Sequence, residues 1–225
     1  MAEGIDNRKE RVRTIIAILK SATKHMTEPA AATIVKVYGK DPFLVLVSCI
    51  LSLRTRDPVS LAASHRLFDH AKTPQKLIAL LPDDIEKLIY PVGFYHQKTK
   101  QILALSRMIL KEFNGIVPST EEKLLMLPGV GRKTANLVLS EGFGIPAICV
   151  DTHVHRISNR LGIIKTNTPE ETEIALKELL PKKYWREYNR LMVMWGQNIC
   201  VPISPFCSKC PLLDVCEQRG VIKKR

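Results

Sequence analysis

Apolar positions along this chain recur in short helical runs, and several of those runs open in the same way. Asp41-Pro42 precedes FLVLVSCILSL, Asp57-Pro58 precedes VSLAASHRLF, and Thr73-Pro74 precedes QKLIALL. An Asp or Thr side chain accepts from free backbone N–H groups, and proline fits a first helical turn because its missing donor is not needed there. Asp83 or Asp84 is placed to cap IEKLIY, and a longer helix is predicted over about 96–113. Ser119 with Glu122 reads as a capping box before KLLML. A helix over about 10–22 carries Val12, Ile15, Ile16 and Leu19 on one face, which must pack somewhere. Strand-like alternation is nearly absent, so the expected class is all-α with short connections. The longest apolar stretch, 43–53, is too short to span a bilayer and reads as a buried helix. From about Pro202 onward helical periodicity yields to cysteines, prolines and short loops.

Composition changes this picture in one respect. In 225 residues, 45% hydrophobic and 25% charged are ordinary for a globular protein, and the length allows one sizeable core or two lobes. The charge is not ordinary: 34 Lys+Arg against 22 Asp+Glu leaves +12, which suits a polyanion such as nucleic acid. The opening residues MAEGIDNRKERV are polar and mixed in charge, so no secretory signal is read and an intracellular protein is expected, with no membrane partner.

The stretch STEEKLLMLPGVGRKTANLVLSEGF carries the densest chemistry. A capped helix leads into Pro-Gly-Val-Gly, and a second helix begins near Arg132. Gly129 and Gly131 allow positive φ and a close backbone approach to a ligand. Val130 between them is expected to plug inward, and Ala135 lets the two helices approach. The N–H groups that start the second helix point outward at the positive end of its dipole, which favours a phosphate. This pattern is a helix-hairpin-helix, a grip on the DNA backbone that reads no sequence. Lys133 stands beside Arg132 and that positive terminus. Both disfavour an ammonium, and a neutral amine is a nucleophile able to form a Schiff base. Asp151, 18 residues on (151 − 133 = 18), ends an apolar stretch and opens a helix, as a cap or as a catalytic carboxylate.

Of six cysteines, Cys49 and Cys149 lie singly in apolar runs and read as small buried residues. Cys200, Cys207, Cys210 and Cys216 are spaced C-x6-C-x2-C-x5-C, which in an intracellular chain means a metal site rather than disulfides. Spacing alone leaves zinc and an iron–sulfur cubane open. Either would use all four thiolates and leave no open position for substrate, so the site is structural or electron-transferring.

LPGVGRKTANLVL, then VDTHVHRISNRLG, then the cysteine tail, together closely resemble the endonuclease III family of bifunctional DNA glycosylase/AP lyases. The resemblance runs from about Phe43 to Cys216. It implies two all-α lobes with a DNA-binding cleft between them: a helical barrel of residues 35–145, and a second lobe of 1–34 plus 146–225 that holds a [4Fe–4S] cluster on the four cysteines. It implies Lys133 as nucleophile and Asp151 as catalytic carboxylate. The substrate implied is double-stranded DNA containing a damaged pyrimidine or an abasic site, acted on by a monomer. Gly129, Val130, Gly131 and Arg132 would hold the backbone.

Departures from the family pattern fall at Arg54, where bacterial members carry a glutamine that fills the space of the flipped nucleotide, and at Phe94, where a leucine wedge is usual. Phenylalanine also wedges between bases. VPISPF, between Cys200 and Cys207, lacks the usual basic residues, with Lys209 the nearest substitute, and the tail VIKKR reads as solvated. Trp195 reads as a cover over the cluster. Two alternatives differ in kind. A monofunctional mismatch glycosylase of the same superfamily would replace the lysine by serine or tyrosine. A non-catalytic helix-hairpin-helix module with structural zinc would leave Lys133 and Asp151 together by chance.

Overall fold

A computed structural model describes residues 2–225, with side chains from residue 7 onward. Twelve α-helices are seen among the described residues: α1 (Ala2–Ala22), α2 (Ala30–Tyr38), α3 (Pro42–Ser52), α4 (Asp57–His70), α5 (Pro74–Ile78), α6 (Pro82–Ile89), α7 (Tyr95–Glu112), α8 (Glu121–Leu125), α9 (Arg132–Leu137), α10 (Thr152–Leu161), α11 (Pro169–Leu179) and α12 (Trp185–Asn198). A π-helical turn, Val138–Phe143, continues α9, and short 3-10 turns punctuate the C-terminal part. No strand is present among the described residues, as the patterning predicts. Among the described residues no helix is long and apolar enough to cross a membrane.

The chain divides into two compact units, one of Pro29–Ala147 and one that joins the N-terminal segment through Glu28 to Ile148–Arg225. In the first unit α3 is the axis: Phe43 through Leu51 are all buried, so the helix is apolar all round and needs cover on every side. It receives that cover from α2, α4, α7, α9 and the π turn. In the second unit Val12, Ile15, Ile16 and Leu19 of α1 are buried in one core with Tyr188, Met192 and Trp195 of α12 and Ile157 of α10. That is where the amphipathic N-terminal helix packs. Trp195, expected as a cover over the cysteine site, is part of this core and 2% exposed.

Local sequence sets most helix starts. Asp41 Oδ1 accepts from Phe43 N and Leu44 N, and Thr73 accepts from Lys76 N. Three expected caps are corrected. Arg56 stands at the cap of α4 with Asp57 already in the first turn, and Leu81 caps α6 with Asp83 and Asp84 in its first turn. Proline is accepted throughout a first turn, so it marks a start without fixing its register. At α8 the cap is Thr120, which accepts from Lys123 N, rather than Ser119.

Candidate functional site

In the unit 29–147, α8 and α9 form the hairpin. Leu127 and Val130 are buried beneath it, so Val130 does plug inward, and Ala135 is fully buried where the helices meet. The two glycines behave differently. Gly129 has φ +75, and a Cβ there would run into the Gln101 side chain, whose amide donates to Pro128 O at 3.4 Å. Gly131 has φ −98 and ψ 175, extended backbone open to any residue, with nothing within 4 Å of a Cβ. The expectation of positive φ at Gly131 is therefore corrected. The chain itself has no use for its bareness, which leaves the tip clear for something else to approach.

Arg132 and Lys133 follow, both exposed, in the first turn of α9. Arg132 Nη2 stands 3.5 Å from Glu121 Oε1 across the hairpin. Lys133 lies close enough to Cys49 in α3 for its charge to favour the thiolate. Burial dominates there and pushes the Cys49 thiol up to about 12, with Glu141 acting in the same direction as burial. Glu141 is 6% exposed in the π turn, and along the chain it is marked only as one charge in an apolar run. Such turns recur at functional sites.

In the same unit Arg54 and Phe94 meet. Arg54 follows α3 with φ +52, and Phe94 precedes α7 with φ +60. The Arg54 guanidinium sits 5.7 Å from the centre of the Phe94 ring, which is 58% exposed. The structure thus brings together two residues that the sequence separates by forty positions (94 − 54 = 40).

In the other unit Asp151 caps α10. Its Oδ1 accepts from His153 N and Val154 N, both at 2.9 Å, so the capping load falls on one carboxylate oxygen. Arg156, one turn on, donates from Nη2 to Cys200 O at 2.9 Å. Burial draws its guanidinium below the usual value, while Cys200 and Asp151 pull the other way. Arg160, 8% exposed, donates from Nη1 to Val201 O at 2.8 Å and to Cys200 Sγ at 3.4 Å, and from Nη2 to Pro202 O at 2.6 Å. These two arginines tie α10 to the cysteine loop. The motif VHRISNR contains both, but nothing in their spacing says what they hold.

Cys200, Cys207, Cys210 and Cys216 line a hollow together with Arg160 and apolar side chains including Ile199, Phe206 and Leu213. Among the described residues no group of three or more His, Cys, Asp or Glu converges on a point that would hold a single ion. Burial pushes the Cys210 thiol up to about 11, and the other three cysteines push it the same way; Cys216 is raised by burial as well. Four soft donors around one apolar hollow suit a thiolate-bound metal centre. Cys49 and Cys149 are buried singly, as expected. Lys209 is exposed in the 3-10 turn Cys207–Lys209. The tail is solvated as expected, with Ile222 to Arg225 exposed, though its last residue is tied down: Arg225 N donates to Pro205 O at 2.8 Å and its guanidinium stacks 3.8 Å over Phe206.

Comparison with known proteins gives a consistent picture. The family model for HhH-GPD superfamily base excision DNA repair proteins matches residues 47–182. Endonuclease III of Thermotoga maritima is 51% identical over 197 residues, covering 85% of this chain and 92% of that protein. The chloroplastic endonuclease III homolog 2 of Arabidopsis thaliana is 43% identical over 183 residues, and there the match covers 77% of this chain but 47% of the plant protein. The solved structure of a trapped endonuclease III–DNA covalent intermediate, an estranged-adenine complex, superposes with a TM-score of 0.82 at 34% identity, covering 93% of this chain and 96% of that one.

Proposed function

The chain belongs to the endonuclease III family of HhH-GPD base excision repair proteins, and we propose that it excises oxidised pyrimidines from duplex DNA through a Schiff base on Lys133. It is a bifunctional DNA glycosylase and AP lyase. The observation that carries the assignment to Lys133 is its place: an exposed amine in the first turn of the hairpin's second helix, two residues past a glycine kept bare on its outer side.

A base inside the stack shields its C1′, so the damaged nucleotide must leave the helix before chemistry. Gly129 to Arg132 hold the backbone through N–H groups and charge, while Phe94 wedges and Arg54 fills the gap with donors for the partner base. The Lys133 Nζ lone pair bonds to C1′ as the bond from C1′ to the base nitrogen breaks, and the base departs with a proton. Sugar-ring opening yields a protonated Schiff base. Its positive charge acidifies the 2′ proton; loss of that proton expels the 3′ phosphate and cuts the strand 3′ to the lesion. Water then hydrolyses the imine and frees the lysine. Asp151, its capping load on Oδ1, stabilises the positive charge that develops on the sugar and assists the proton transfers.

The four cysteines, with Arg160 donating to Cys200, are the residues that would hold a [4Fe–4S] cluster. Its contribution when bound is to cross-link the loop from Cys200 to Cys216; the thiolates leave no position for substrate. Within this chain Arg156 and Arg160 carry that rigidity to α10, at whose first turn Asp151 sits.

Borohydride trapping on a duplex containing thymine glycol tests the reading, with wild type beside Lys133→Gln. Reduction converts a Schiff base to a permanent amine link. The expected result is a covalent protein–DNA band from wild type that the variant lacks. Base release by wild type without any trapped band would sink the lysine assignment.

A further inference from the structure

Arg54 and Phe94 both occupy the left-handed region, at φ +52 and +60. Bulky residues remain there only where their surroundings impose it. One buried amine is hydrogen-bonded to the backbone beside them. Lys98, in the first turn of α7 and 4% exposed, donates from Nζ to Leu51 O at 2.9 Å, to Leu53 O at 2.5 Å and to Thr55 Oγ1 at 3.1 Å. An ammonium has three N–H donors and no acceptor, so three acceptors satisfy it completely. They include carbonyls that the end of α3 leaves outside its helical ladder, where a positive charge is also favoured by the dipole.

The network closes through Thr55. Its hydroxyl donates to Leu53 O at 3.3 Å and accepts from Lys98 and from Gly93 N, the latter at 3.2 Å. One donor and two acceptor positions are thereby used in full. Gly93 lies so near the 54–55 backbone that a Cβ on it would stand 3.0 Å from Arg54 O. Arg54 is thus flanked by two of the three residues that Lys98 Nζ binds, Leu53 and Thr55, and Phe94 follows the glycine pinned to Thr55. Lys98 N also donates to Phe94 O at 3.0 Å, so one residue reaches both sides of the pair. Burial alone works against the charge and lowers the Lys98 amine to about 8, so it still carries its proton at neutral pH.

We propose that Lys98 is the positioning residue of the duplex-entering pair: its three hydrogen bonds hold Arg54 and Phe94 left-handed and side by side before DNA arrives. It rests on the reading that Arg54 and Phe94 enter the duplex. Lys98 touches neither DNA nor reacting atoms. It acts by preorganisation, so that binding energy is not spent on ordering two loops.

The test uses the full-length, cluster-loaded protein and two substrates. One is a duplex with thymine glycol and 2-aminopurine opposite it; the other is a single-stranded oligonucleotide with an abasic site, which needs no wedge. For Lys98→Met, single-turnover excision from the duplex is expected to fall roughly tenfold to a hundredfold, the scale of an active assembly misplaced by about 1 Å. The rise in 2-aminopurine fluorescence that reports the unstacked partner base is expected to be lost with it, while borohydride trapping on the single strand is unchanged. Thr55→Val, which removes the bridging hydroxyl and leaves the core volume nearly intact, is expected to show the same split, and Thr55→Ser to restore it. Should Lys98→Met fail to fold, the two Thr55 variants decide the matter. Equal loss on both substrates, or loss on neither, would overturn the proposal. So would a further loss when Lys98→Met is added to Arg54→Ala/Phe94→Ala. If that double variant itself excises normally from the duplex, it is the assignment of the wedge pair that fails, whatever Lys98 does.

Discussion

The two glycines of the hairpin permit a separation of stability from DNA binding. Gly131→Ala adds a methyl where the backbone is extended and nothing lies within 4 Å, so the folded state accepts it without strain. The unfolded chain loses freedom, and the variant is expected to be more stable by about 0.4–1 kcal/mol. For a chain of this size that raises Tm by roughly 1–4 °C. Gly129→Ala forces alanine to φ +75 against Gln101, at a cost of about 1–2 kcal/mol, and lowers Tm. If Gly131 is bare so that a phosphate can meet the N–H groups of α9, the new methyl removes a charge-assisted hydrogen bond of roughly 1.5–3 kcal/mol. That is about tenfold to 150-fold in Kd. Losing one phosphate contact also lowers the slope of log K against log salt by about 0.9. Thermal unfolding gives the first quantity, and fluorescence anisotropy with a duplex carrying a reduced abasic site, at several salt concentrations, gives the second. A Gly131→Ala protein that is stabilised yet binds with wild-type affinity and slope would refute the phosphate reading of the hairpin.

Three further outcomes are expected. Asp151→Asn keeps a capping oxygen and should unfold as wild type does, yet lose excision, whereas Asp151→Ala loses activity and also about 1 kcal/mol of stability; an Asn variant with full activity would leave the carboxylate only a cap. Cys210→Ala should lower bound metal together with thermal stability, and unchanged metal content would remove Cys210 from the ligand set. Because burial lowers Lys98 from 10.5 to about 8, the unfolded chain keeps a proton there that the folded one has released. Between pH 8 and 10.5 the folded state therefore gains, by about 3 kcal/mol in total from this group. Denaturant unfolding across that window should show the gain in wild type relative to Lys98→Met, and parallel curves would contradict it.

Much of this architecture could be read along the chain because its determinants are local. Asp41, Thr73 and Asp151 cap helices through atoms two or three residues away, and the hairpin's glycines and buried valine lie within a few positions of one another. Register was less legible: Asp57, Asp83 and Ser119 each lie within two residues of the true cap, since α4 and α6 start on a proline-marked first turn with no side-chain cap at all and Thr120 takes the cap of α8. What escaped was tertiary. Lys98 looks like any surface lysine in YHQKTKQ until the end of α3 is placed against it, and Arg160 looks like another until the cysteine loop closes around its guanidinium. The pairing of Arg54 with Phe94 has the same origin, as does the burial of Glu141.

One consequence concerns synthesis. The unit that carries the cysteine loop is assembled from both ends of the chain: Arg11 of α1 donates to Leu161 O and to Val215 O, 204 residues ahead of it. The intervening unit is contiguous and contains every partner its core requires. As the chain leaves the ribosome, residues 29–147 can therefore collapse on their own, while the apolar stripe of α1 waits uncovered for α10 and α12. Contacts of such long range form slowly and leave sticky surface exposed meanwhile. The four thiols follow α12 along the chain, so a metal held by them can be loaded only after the helices of their unit have been made.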